Sequence, residues 1–119
     1  MVPQTIEFEA EKEEFVMLEI TLNNFDAEVK HSEKPVLLDF WASWCEPCKQ
    51  FSPTVDTFAE EHEEIKVGKV NVDEARDLAF QFRVMGIPTL LLFKDGEKVA
   101  SSTGVLTREE LDAWVKENL

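Results

Sequence analysis

Trp41-Ala42-Ser43-Trp44-Cys45-Glu46-Pro47-Cys48-Lys49 is the stretch on which the fold turns. It follows directly on the apolar run Pro35 to Phe40 and precedes Phe51, Val55, Phe58 and Ala59, which recur at helical spacing. The two cysteines therefore sit at a strand-to-helix junction. At a helix start the first backbone N–H groups lack partners and the dipole is positive, so a thiolate at Cys45 is stabilised there. It is the thiolate that attacks a disulfide, and Cys48, about one turn on, can reach back to resolve the mixed disulfide that results. Pro47 stands in the first turn, where a missing N–H costs nothing and a preset φ helps. Pro53 falls in the helix interior and predicts a kink there. The chain has 2 cysteines in all, and the loop between them is too small to staple a fold. Their purpose is chemical.

Working outward, Val16 to Ile20, Val36 to Phe40, Ile65 to Val72 and Thr89 to Phe93 are rich in β-branched and aromatic residues and read as strands. Pro35 to Phe40 and Thr89 to Phe93 are apolar on both faces, which marks central strands covered on both sides. Asp95-Gly96 is a hairpin turn signal that pairs Thr89 to Phe93 with Lys98 to Thr103. Thr21 can cap a helix running through Val29, with Leu22, Phe25 and Val29 inward. Glu74 to Phe82 puts Leu78, Ala79 and Phe82 on one helical face. Thr107-Arg108-Glu109-Glu110 has the form of a capping box before the stripe Leu111, Trp114 and Val115. Strand and helix alternate and a hairpin closes the order, so the fold class is α/β: a central mixed β-sheet flanked by helices on both faces.

The chain of 119 residues suits one domain with one core. Apolar residues at 44% and charged residues at 31% are the balance of a soluble globular protein. The longest apolar runs fall well short of the roughly 20 residues a helix needs to span a bilayer, so no membrane association is expected. Twenty-five acidic residues against twelve basic ones give a net charge of −13, which repels phosphate backbones and excludes nucleic acid as a partner class. Residues 1–15 differ in composition. Glu7, Glu9, Glu11, Glu13 and Glu14 stand there against Lys12, Ile6 to Glu9 alternates like a strand, and Ala10 to Glu14 reads as helical. The segment is an acidic N-terminal extension, an added edge strand or packed arm before a domain at 16–119. It has neither the basic start nor the apolar stretch of a secretory signal, and a cytoplasmic location is the expectation.

Over residues 16–119 the chain resembles the thioredoxin family. Beyond the cysteine pair, the resemblance rests on Asp39-Phe40-Trp41-Ala42 before it and Lys49 and Pro53 after it. It extends to Lys69 within Gly68 to Asp73, to Gly86-Ile87-Pro88-Thr89, and to Gly104. It implies a thioredoxin fold and reduction of protein disulfides by dithiol–disulfide exchange, in the service of electron transport and cell redox homeostasis. The implied partners are a thioredoxin reductase or equivalent reductant and disulfide-containing protein substrates. No cofactor and no metal are implied.

Cys45 is then the attacking thiol and Cys48 the resolving one. Asp39, an acid inside an apolar strand, should have its pKa raised by burial and act as proton acceptor for Cys48, with Lys69 moderating the rise. The resemblance implies a cis Ile87-Pro88 bond. It also implies a groove in which Gly86, Ile87, Gly104 and Val105 join Trp44, Glu46 and Pro47 to bind an extended substrate strand through its main chain. Trp41 reads as core.

Three positions depart from the family. Glu46 replaces the usual glycine between the cysteines and should disfavour the Cys45 thiolate, giving a modestly more reducing couple. Arg83 replaces a common glycine, and Met85 a frequent basic residue. Two other function classes compete. A zinc site would need the second half of a ribbon, yet no further cysteine exists and His31 and His62 lack partner spacing, His62 reading as part of a solvated face with Glu60, Glu61 and Glu63. A non-catalytic docking or chaperone module on the same fold is the alternative that insulin reduction would test.

Overall fold

The computed structural model describes residues 17–119. The edge strand or arm expected in the first fifteen residues, and the predicted strand start at Val16, lie outside the described residues. Among these, five strands form one sheet: β1 (Leu18–Glu19), β2 (Val36–Trp41), β3 (Lys66–Asn71), β4 (Thr89–Lys94) and β5 (Glu97–Thr103). Their order across the sheet is β1-β3-β2-β4-β5. β1, β3 and β2 run parallel to one another, and β4 and β5 are antiparallel additions at the other side. This is the mixed sheet the sequence predicts.

β2 lies in the middle because both its faces are apolar. Val36, Leu38 and Phe40 join a core with Phe25, Val29, Leu78, Leu91 and Phe93 on one side of the sheet. Leu37 faces a second core with Phe51, Val55, Phe58, Leu90, Leu92, Leu111 and Val115 on the other. Side chains alternate along a strand, so Asp39 points the same way as Leu37, toward the second core. Among the described residues, four α-helices cover the two faces: α1 (Leu22–Phe25), α2 (Glu46–Glu61), α3 (Arg76–Gln81) and α4 (Arg108–Asn118).

α1 departs from its predicted form. Thr21 caps it, with a capping box completed by Asn24, but after Phe25 the chain widens into a π-helical stretch, Asp26–Lys30. The His31 N–H bonds the Asp26 carbonyl at 3.0 Å, an i to i−5 bond that unwinds the turn. Phe25 and Val29 remain inward, while Leu22, placed inward by the sequence pattern, is 54% exposed in the first turn.

α2 continues through Pro53, with Cys48, Phe51, Val55 and Phe58 buried. His62, just beyond its end, is no simple member of a solvated face. It stacks on Phe58 and lies 3.0 Å from Glu64 and 3.1 Å from Asp112, because the end of α2 abuts α4. Arg108 bonds Glu61 and Asp112 at the same contact.

α3 is shorter than the pattern Glu74 to Phe82 and ends on Arg83 at φ 56, with the Val84 N–H returning to Ala79 at 2.9 Å and the Arg83 N–H to Phe80 at 3.1 Å. Those two bonds satisfy the last carbonyls of the helix and require a left-handed residue at position 83. The family's preference for glycine there has this physical basis. The β4–β5 turn uses Asp95 and Gly96 at φ 54 and 83. A side chain at 96 would also meet the Lys30 carbonyl at 2.6 Å. α4 begins with the predicted box: Thr107 accepts from the Glu110 N–H at 3.1 Å and donates its own N–H to the Glu110 carboxylate at 2.9 Å.

Candidate active site

β2 ends at Trp41, and after three intervening residues Cys45 opens α2 as its N-cap. The Cys45 N–H bonds the Ala42 carbonyl at 3.1 Å, which turns the chain sharply enough to bring the sulfur to the helix start. Cys45 Sγ accepts from the Cys48 N–H at 3.2 Å, and the two cysteines are joined in a disulfide with Cα atoms 5.3 Å apart. The sulfur of Cys45 thus occupies the place of a helix-capping oxygen. In the reduced protein the same N–H and the dipole would face a thiolate. Pro47 lies within the first turn, as read from the sequence. Both cysteines are largely buried, packed with Ala42 and beneath Trp41, Val72 and Ile87.

The Ile87-Pro88 bond is cis. The carbonyl of Ile87 lies 3.9 Å from Cys45 Sγ, so this backbone borders the sulfur directly. Gly104 is tied in by its N–H to the Pro88 carbonyl at 2.8 Å, and Val105 beside it is exposed. Trp44, 66% exposed, Val72, Val84, Met85, Gly86 and Ile87 are among the residues lining an open groove of about 360 Å³. The Trp44 indole N–H donates to Asp73 at 2.9 Å, a partner the sequence reading missed. Glu46 is exposed and pairs with Lys49 at 3.4 Å. The predicted groove residues Trp44, Gly86 and Ile87 thus line one groove, with Ile87 bordering Cys45; Glu46 and Pro47 stand on the exposed helix start, and Gly104 and Val105 adjoin the Pro88 end.

Behind the disulfide lies a cavity of about 130 Å³ lined by Asp39, Trp41, Cys48, Lys49, Ser52 and Lys69. Asp39 is buried, and its Oδ1 finds no hydrogen-bond partner among the described residues. Burial pushes its pKa from 3.8 up to about 6; Lys69 opposes the rise and Asp56 adds to it. Asp39 and Lys69 are direct partners across β2 and β3. The Lys69 ammonium nevertheless reaches α2, at 2.5 Å from the Ser52 hydroxyl and 3.1 Å from Asp56. Cys48, Ser52 and Asp56 follow at four-residue intervals on α2, a spacing that puts all three on one helix face and was a readable signal.

The thioredoxin family model matches residues 16–117. The chain belongs to the thioredoxin family. It is 42% identical over 100 residues to thioredoxin C-2 of Corynebacterium nephridii, covering 83% of this chain and 93% of the relative. With the thioredoxin of Pseudomonas aeruginosa it shares 39% over 104 residues, covering 87% and 96%. Thioredoxin 1 of Nostoc is 42% identical over 102 residues, covering 85% and 95%. The thioredoxin fold, thiol–disulfide oxidoreductase activity and the reduction of protein disulfides follow for this chain. Thioredoxins work with a reductase and with disulfide substrates. No helix among the described residues is long and apolar enough to cross a membrane.

Met85 is 94% exposed at the groove, and Phe80 on α3 is 87% exposed. The groove's outer rim is apolar in this chain where the family often carries a basic residue.

Proposed function

We propose that Cys45 attacks and Cys48 resolves, with Asp39 taking the proton of Cys48. In the reduced protein the Cys45 thiolate attacks one sulfur of a substrate disulfide, forms a mixed disulfide and expels the first substrate thiolate. Cys48 then gives its proton to the Asp39 carboxylate, and its sulfur attacks Cys45. The second substrate thiolate leaves and the Cys45–Cys48 bond forms, so two electrons pass to the substrate. The observation that carries this reading is the Cys48 N–H directed at Cys45 Sγ at 3.2 Å, at the first turn of a helix, over a cavity shared by Cys48 and Asp39.

Gly86, Ile87, Pro88, Gly104 and Val105 would hold an extended substrate segment beside Cys45, with Trp44, Glu46 and Pro47 on the facing side. The 3.9 Å approach of the Ile87 carbonyl to Cys45 Sγ supports this, because a substrate strand pairing there has its disulfide at the attacking sulfur. A thioredoxin reductase or equivalent dithiol donor would restore the reduced pair. Cytoplasmic electron transport and redox homeostasis are the setting this implies. The family match over residues 16–117 supports a catalytic unit at 16–119, with residues 1–15 as an acidic extension.

Insulin reduction coupled to a thioredoxin reductase tests the assignment. Cys45→Ser should abolish turnover, and Cys48→Ser should accumulate mixed disulfides with substrates. Persistent turnover without Cys45 would overturn it.

A further inference from the structure

The second strand pair places Asp39 and Lys69 side by side on the same face of the sheet, where an ammonium and a carboxylate would ordinarily meet. They form no ion pair. Instead Lys69, itself largely buried, extends past the acid to α2, donating to Ser52 at 2.5 Å and lying 3.1 Å from Asp56, while Asp39 Oδ1 stays unpartnered among the described residues. The contact with Asp56 is one of charge and is not aligned as a hydrogen bond.

Resting on the proposed role of Asp39, we infer that Ser52 and Asp56 are positioning residues for the proton transfer: by holding the Lys69 ammonium on α2 they keep it from Asp39, and so set the pH at which Asp39 accepts the proton of Cys48. The physical reason is a competition for one cation. An ammonium brought against a buried carboxylate stabilises its charged form and weakens it as a base, whereas an ammonium shared with a hydroxyl and a second carboxylate does so less. The charged groups facing this region are Lys69 from β3, Lys49 and Asp56 from α2, and Glu19, the register partner of Lys69 on β1. β4 offers only Leu90 opposite Asp39. Of these groups, Lys69 opposes the proton affinity of Asp39 and Asp56 supports it. Ser52 and Asp56 are both placed to move Lys69, since they sit one and two turns beyond Cys48 on the same helix face.

The test uses the oxidised full-length chain, in which the cysteines do not titrate, with the Asp39 carboxyl followed by carbon NMR. Ser52→Ala should shift its midpoint to lower pH by roughly half a pH unit, and Asp56→Asn by more, since it both frees Lys69 and removes a neighbouring negative charge. Lys69→Met should shift the midpoint upward, and in that background Ser52→Ala should have no further effect. The acid limb of mixed-disulfide resolution, measured by stopped flow, should move with the NMR midpoint. An unmoved midpoint in both Ser52→Ala and Asp56→Asn, or an equal Ser52→Ala shift with and without Lys69, overturns the inference, because a merely structural role would ignore the lysine. If Asp39→Asn left the resolution profile unchanged, the proton-acceptor role would fall separately, with the titrations still deciding where Lys69 is held.

Discussion

Trp44 donates its indole N–H to the carboxylate of Asp73 at 2.9 Å, pinning an exposed ring that lines the groove. Trp44 comes from the β2–α2 junction and Asp73 from the turn after β3, so the bond joins two segments that meet only in the folded sheet. Asp73→Ala should free the ring without touching either sulfur. A hydrogen bond of net worth about 0.5–1.5 kcal/mol predicts a KM for insulin raised roughly 2- to 10-fold with kcat little changed. A fall in kcat with constant KM would assign Asp73 to the chemistry instead.

Asp39 binds a proton more tightly in the folded state, at about 6, than its ordinary 3.8. Between those values the native protein holds more protons than the unfolded chain, so stability falls as pH rises and the loss is complete above the higher one. Its size is up to about 3 kcal/mol. Asp39→Asn should therefore stabilise the oxidised protein by that order at about pH 8, and leave it nearly unchanged at about pH 3.5. Urea unfolding at both values checks this; an equal gain at both would show that charge burial is not the cause.

Arg83 bears a left-handed conformation at φ 56 that costs an L residue roughly 1–2 kcal/mol. Glycine removes that cost but gains freedom in the unfolded chain, so Arg83→Gly should stabilise by a net of about 0.5–1 kcal/mol, read as a higher urea midpoint. A lower midpoint would mean that the arginine side chain contributes contacts worth more than the strain.

Glu46 stands beside Cys45, yet its carboxylate is exposed and paired with Lys49 at 3.4 Å. Glu46→Gly should raise the redox potential, since the thiolate loses a nearby negative charge. Screening and the lysine limit the change to roughly 5–20 mV. A glutathione titration of both proteins measures it, and a lower potential in the variant would reverse the assignment.

Much of the site is legible in the sequence. A cysteine pair at the junction of an apolar strand and a helix pattern, an acid inside that strand, and a Gly-Ile-Pro-Thr stretch each carry local signals. What stayed hidden depended on neighbours distant in sequence. Neither Ser52 nor Asp73 stands out in the sequence, because each meets its partner, Lys69 or Trp44, from another segment. His62 read as solvent-facing because its four sequence neighbours are polar, while Phe58 and Asp112 partly cover it. Leu22 failed in the opposite way: a regular helical period turned it inward, but the π-helical stretch after Phe25 broke that period.

The sequence by itself determined the order of elements, the two-sided burial of β2 and β4, the cap at Thr107, and the placement of Cys45 at a helix start. These follow from backbone propensity and from the 2.0 and 3.6 periods, which act within a single element. Only the tertiary structure decided where the Lys69 ammonium goes. A lysine with two carboxylates and a hydroxyl in reach is placed by the packing of α2 on the sheet, a relation between segments that no local pattern encodes.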